Sequence, residues 1–128
     1  HKSKYNIIHK IKHKETDEMD KNTTVADLKG RVFDFCEERH WNKSHNPKDL
    51  SIGISTEANE LMDLFRFKSN DQMKEMMRDE RKRERIGEEL ADTLIFSLRF
   101  AQMYSFDIDD IIRDKMVKNA VKYPKPEK

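Results

Sequence analysis

Glycine and proline, the residues that most readily interrupt regular structure, are nearly absent from this chain, and that scarcity limits what it can fold into. There are three of each in 128 residues. Pro124 and Pro126 stand near the C-terminus, and Pro47 lies in the polar stretch Asn42–Asp49. Between these breaks apolar residues recur three and four positions apart, and no segment alternates apolar with polar as a half-buried strand would. The pattern predicts an all-α chain.

A first helix is expected from Thr24, where Thr24 and Asp27 make a capping-box pattern with Asp in place of Glu or Gln. Val25, Leu28, Val32, Phe35 and Cys36 form its apolar face, and it ends near Trp41. A second helix is expected from about Leu50 to Lys68. Ser69-Asn70-Asp71 signals a turn, with Asp71 able to cap the next helix. From there the pattern reads as one long helix to Tyr104, or as two broken near Gly87, since an interior glycine costs roughly 1 kcal/mol relative to alanine. A last helix covers about Ile108–Val121, opened by Asp107 or Asp109 and stopped by Pro124. Four main helices with short connections imply a four-helix-bundle-like fold. Residues 1–22 read as a separate N-terminal segment, flexible or added for expression, and residues 23–128 as the domain. His9 and His13 within that segment have a spacing that suits a metal on a helix, but its composition favours a simple tail.

Composition narrows the function classes. Charged residues make up 40% and hydrophobic residues 35%, so the core is modest and completion by other subunits is expected. A formal net charge of +1 argues against dedicated nucleic-acid binding. The one cysteine, Cys36, excludes an intrachain disulfide and fits a reducing compartment. No apolar run approaches the ~20 residues that span a bilayer. Residues 1–22 carry six lysines and no signal-peptide apolar core, so a cytoplasmic location is expected. The run Arg78–Arg85 reads as a solvated helical face.

Two acidic motifs carry the chemistry. Glu57-Ala-Asn-Glu60 and Glu89-Leu-Ala-Asp92 each set two carboxylates one helical turn apart. At about 100° per residue, Glu57 shares a direction with Leu50, Ile54, Leu61 and Leu64. Glu89 aligns with Ile86, Phe96, Phe100 and Met103, and Asp92 flanks that stripe. The carboxylates therefore point toward the core. Buried together they repel unless protonated or bound to a cation. A hard divalent ion such as Mg²⁺, with Mn²⁺ able to substitute, accepts their oxygens and keeps waters for substrate phosphates. The alternative is a solvated rim, or pairing with arginines such as Arg66, Arg85 or Arg99. Neither motif holds a His or Cys, which disfavours zinc.

The strings Glu38-Arg-His-Trp41, His45-Asn-Pro-Lys-Asp-Leu50, Glu57-Ala-Asn-Glu60-Leu-Met-Asp-Leu-Phe-Arg-Phe67, Glu88-Glu-Leu-Ala-Asp92 and Lys115-Met-Val-Lys-Asn-Ala-Val-Lys-Tyr-Pro124 resemble MazG-like pyrophosphohydrolases. The likeness covers roughly residues 24–124 and is strongest to the compact single-domain branch that includes dCTP pyrophosphatases. It implies a helical, dimeric or tetrameric, Mg²⁺-dependent enzyme that cleaves nucleoside triphosphates to monophosphate and pyrophosphate. By the same resemblance Glu57, Glu60, Glu89 and Asp92 are the metal ligands and catalytic residues. Thr56 stands where many relatives have a further acid, and Phe67 where the dCTP-type branch tends to have Trp, so the preferred base is left open.

Substrate contacts are expected elsewhere. Lys115, Asn119 and Lys122 continue the apolar stripe Ile108, Ile111 and Ile112 of the last helix, with Tyr123 on the same side, and suit phosphates. Their competing role is to complement the helix dipole. Trp41 and Phe67 are candidates for base stacking, and His45 or Asn46 for base or sugar contacts. Among rivals, a di-iron protein needs two Glu-x-x-His motifs, and only Glu37-Glu-Arg-His40 matches. A charged helical interaction module would explain the composition but not the inward carboxylates.

Overall fold

The computed structural model describes residues 19–127 and is helical throughout, with no strand among them. Most of the expected tail, including His9 and His13, lies outside the described residues; residues 19–22 are helical. Helix α1 spans Val25–Glu38. Its capping box is complete: the Thr24 hydroxyl accepts from the Asp27 N–H at 3.1 Å, and Asp27 accepts from the Thr24 N–H at 3.0 Å. It ends before Trp41, because His40 adopts a left-handed conformation (φ 56°) and leads into a short 3₁₀ turn, Trp41–Lys43.

Helix α2 spans Pro47–Phe65, starting earlier than the apolar pattern suggests. Asn46 caps it by accepting from the Asp49 N–H at 2.8 Å. Pro47 fits the first helical position, where its missing N–H costs nothing. The helix stops at Phe65 rather than Lys68, and Phe67 takes a positive φ of 67°.

The long charged segment is two helices, and the break is at Asp79, not near Gly87. Helix α3 spans Asn70–Arg78 and α4 spans Glu80–Met103. Asp79 closes the first through its N–H to the Glu75 carbonyl (3.0 Å) and opens the second by accepting from the Lys82 N–H (3.0 Å). Ser69, rather than Asp71, caps α3 through a capping box with Gln72. Helix α5 spans Ile108–Lys122 with Asp107 as its cap. The described residues thus hold five full helices where the sequence pattern suggests four.

Helix α4 is the central element, with α2 along it in the most extensive contact and α1 and α3 against it. Gly53 of α2 allows that approach: a Cβ there would lie 2.6 Å from the Phe96 ring. Among the described residues the buried apolar side chains are Val32, Cys36, Leu50, Ile86 and Ala101, joined by Glu89 and Arg99. The expected face of α1 is only partly covered, since Val25, Leu28 and Phe35 stay exposed. Helix α5 meets the rest at its start, where Ile108, Ile111 and Ile112 share a hollow with Ile54, Phe100 and Phe106. From Asp109 to Glu127 every residue except Asn119 is exposed. None of the described helices is long and apolar enough to cross a membrane.

Candidate metal centre

Three carboxylates meet where α2 faces α4. Glu57 and Glu60 come from successive turns of α2 and Glu89 from α4, with one oxygen of each lying within 4.8 Å of the others. Glu89 is buried, Glu57 half-buried and Glu60 exposed. The helical stripes explain this placement: Leu50 precedes Glu57 by two turns and is fully buried, and Ile86 precedes Glu89 by one turn and is also buried.

The cluster is short of positive charge and of hydrogen bonds. Arg85 Nε donates to Glu89 Oε1 at 3.1 Å, from a side chain that is itself 61% exposed. Arg66 turns instead to Asp63, at 3.0 Å. Arg99 donates to His45, Asn42 and Gln102. Of the three arginines considered as partners for the acids, one reaches them. The Oε2 atoms of both Glu57 and Glu89 are buried with no hydrogen-bond partner, an arrangement costly for an anion. Hydrogen bonding to Glu89, then the negative charge of Glu57, pushes the Glu60 carboxyl from 4.5 up to about 7. Unpartnered inward oxygens, all hard donors, fit a divalent cation of the Mg²⁺ type.

Asp92 is one turn beyond Glu89 on α4 but exposed, and its carboxylate stands outside this cluster of three. It lines instead a mainly apolar pocket of about 480 Å³ with Phe35, Cys36, Trp41, Ser44, His45, Ile95, Phe96 and Arg99. Asp92 therefore adjoins both features along α4, the acids one turn back and Phe96 one turn on. Trp41 makes an edge contact with Phe35 (centroids 5.6 Å apart, 66° between planes) and a tilted one with His45 (5.8 Å, 57°). Such a pocket has the size and aromatic lining of small-ligand sites.

Other expected site residues do not come together here within one chain. Phe67 is 92% exposed, with the Arg66 guanidinium 5.0 Å from its ring centre. Lys115, Lys122 and Tyr123 are exposed and Asn119 is half-buried, all on or just after α5, and Lys122 Nζ lies 5.4 Å from the Tyr123 ring. None of these lines the carboxylate cluster or the pocket. Arg99, by contrast, is a site residue that the sequence pattern signals only weakly. It stands three residues after Phe96 and seven after Asp92, a charge at core spacing.

The MazG-like family model matches residues 52–128. The chain is 30% identical over 101 residues to dCTP pyrophosphatase 1 of Homo sapiens and of Mus musculus, over 79% of this chain and 59% of each of those. It thus spans about three-fifths of the length of the curated relatives it matches. The crystal structure of a pyrophosphatase from Archaeoglobus fulgidus matches with a TM-score of 0.71 at 35% identity, covering 78% of this chain and 92% of that one.

Proposed function

The chain belongs to the MazG-like family, and from that premise we propose that it hydrolyses nucleoside triphosphates between the α- and β-phosphates, giving a monophosphate and pyrophosphate. The observation that carries this reading is the pair of buried, unpartnered oxygens on Glu57 and Glu89, whose carboxylates meet that of Glu60 across the seam between α2 and α4. Glu57, Glu60 and Glu89 would hold Mg²⁺, or Mn²⁺ in its place, and Asp92 would complete the set from the pocket side. When bound, the ion supplies charge neutralisation for the phosphate oxygens and lowers the pKa of water. Glu60, exposed where its neighbours are not, would orient the water whose oxygen bonds to the α-phosphorus as the bond to the bridging oxygen breaks, and the water's proton passes to solvent. Pyrophosphate leaves with the bridging oxygen.

Trp41 and His45 receive the base in the pocket beside Asp92. Deoxynucleoside triphosphates, dCTP or modified nucleotides among them, are the proposed substrates, and removal of unwanted nucleotides in the cytoplasm the proposed role. The names of the relatives support the reaction class, and the buried free thiol of Cys36 fits a reducing compartment. The protein acts as a homodimer or homotetramer. Apolar residues left exposed on α1 and α5 support assembly, as does the fact that Phe67, Lys115, Asn119, Lys122 and Tyr123 do not line their own chain's pocket: a second copy's site is where they would act. A charged interaction module would leave the buried, unpartnered Oε2 atoms of Glu57 and Glu89 without a role. The test is a nucleotide panel with Mg²⁺ and product analysis. Pyrophosphate and monophosphate are expected; stepwise orthophosphate through a diphosphate would overturn the assigned bond.

A further inference from the structure

Arg99 is 1% exposed, and no carboxylate touches it among the described residues. Its three contacts are neutral acceptors: Nε donates to His45 Nδ1 at 3.0 Å, Nη1 to Gln102 Oε1 at 2.6 Å and Nη2 to Asn42 Oδ1 at 2.6 Å. Asn42 in turn donates from Nδ2 to Glu37 Oε1, so the nearest linked negative charge is reached through an amide. A cation buried on neutral acceptors is expensive to keep, and what it holds is specific. Asn42 and His45 lie on the turn that carries Trp41, so one guanidinium ties the pocket wall to α4.

The contact with His45 also fixes a proton. A guanidinium can only donate, so Nδ1 must present its lone pair. In a neutral imidazole the proton then sits on Nε2. A proton on Nδ1 would set N–H against N–H. Among the described residues no hydrogen bond engages Nε2; His45 is half-buried and lines the pocket. Burial and the Arg99 charge also hold His45 below the ordinary histidine range.

Resting on the reading of this pocket as the base site, we propose that Arg99 is a positioning residue that locks His45 neutral with its proton on Nε2. The pocket then meets the base with one fixed donor. It selects a base that presents a ring nitrogen or carbonyl oxygen at that point over one that presents an amino group.

Nitrogen-15 spectra of the imidazole rings at neutral pH, with no nucleotide present, test the lock separately from hydrolysis. The full chain should show His45 as the Nε2–H tautomer; an Nδ1–H form or an imidazolium would overturn the proposal. Adding an α,β-imido analogue of the preferred nucleotide should shift the Hε2 resonance, and an unmoved resonance would overturn base contact. In Arg99→Met, His45 should become a mixture of forms, with Arg99→Lys restoring less than the full effect because it lacks the guanidinium fork. KM should rise about 10-fold in Arg99→Met with kcat little changed, the scale of one lost hydrogen bond. On a His45→Ala background the same change should add about 2-fold or less, since both act through one contact. Fully additive losses would make Arg99 merely structural and sink the claim.

Discussion

The seam between α2 and α4 and the C-terminal helix α5 handle polar and apolar residues in opposite ways. The seam buries Glu89 and half-buries Glu57, while along α5 Ile111, Ile112, Met116, Val117 and Val121 stand 44–80% exposed. Buried carboxylate oxygens without hydrogen-bond partners and exposed apolar surface without cover are both unfavourable in isolation. On the proposed reading, a cation relieves the seam and a second protein surface relieves α5. The carboxylate cluster is thus assembled within one chain, while Lys115, Asn119, Lys122 and Tyr123 do not line it or the pocket.

The sharpest way to break this comparison is to neutralise the seam. Glu57→Gln or Glu89→Gln should lower turnover by on the order of 100-fold or more, as when a group that stabilises transition-state charge is lost. Lys115→Ala or Lys122→Ala should cost only a few-fold, mostly in KM, if phosphate contacts are spread over several residues. Steady-state kinetics with Mg²⁺ separates the two; equal losses would erase the distinction.

Assembly probes the other side. A charge at Met116 or Val117, as in Met116→Glu, should shift the mass in light scattering toward the monomer and leave the helical signal intact. A wild-type chain that is monomeric at micromolar concentration with full activity would remove the reason given for the exposed row.

Two glycines test the packing. Gly53→Ala should destabilise by about 1–3 kcal/mol, since its methyl group would collide with the Phe96 ring and overpack the seam. Gly87→Ala, with open space around its Cβ, should stabilise by up to ~1 kcal/mol. Urea titration of both variants reads the opposite signs.

The smallest effect concerns pH in the metal-free protein. Glu60 titrates at about 7 in the fold against 4.5 ordinarily, so the folded state holds a proton that the unfolded chain releases earlier. That contribution is fully present below about pH 4.5, falls as pH rises, and is gone above about 7. It is modest because Glu60 is exposed and its charge screened. Relative to Glu60→Gln, the metal-free wild type should lose melting temperature between pH 5 and 8. A parallel profile would show that Glu60 is not crowded by its neighbours.

Local features were the most legible. The Thr24 and Asp27 cap depends on residues three apart in sequence, and it forms as expected. Glu57 and Glu89 could be turned inward because their apolar neighbours repeat with the helix. The break at Asp79 was hidden inside a run of charges with no apolar rhythm, where Gly87 looked like the weaker point. Aspartate broke the helix by serving as the cap of a new one. Burial of Arg99 depends on Asn42 and His45 arriving from more than 50 residues away, which no periodicity along α4 reveals. Phe67 and the α5 lysines are readable as motif members, yet none of them lines the carboxylate cluster or the pocket.

The most direct test of the central claim is calorimetric titration of Mn²⁺ into the metal-free full chain, without nucleotide, for wild type and Glu89→Gln. Wild type should give saturable binding heat, and Glu89→Gln should give little or none while keeping its helical signal. Equal affinity in the two proteins would show that the inward carboxylates are not the metal site.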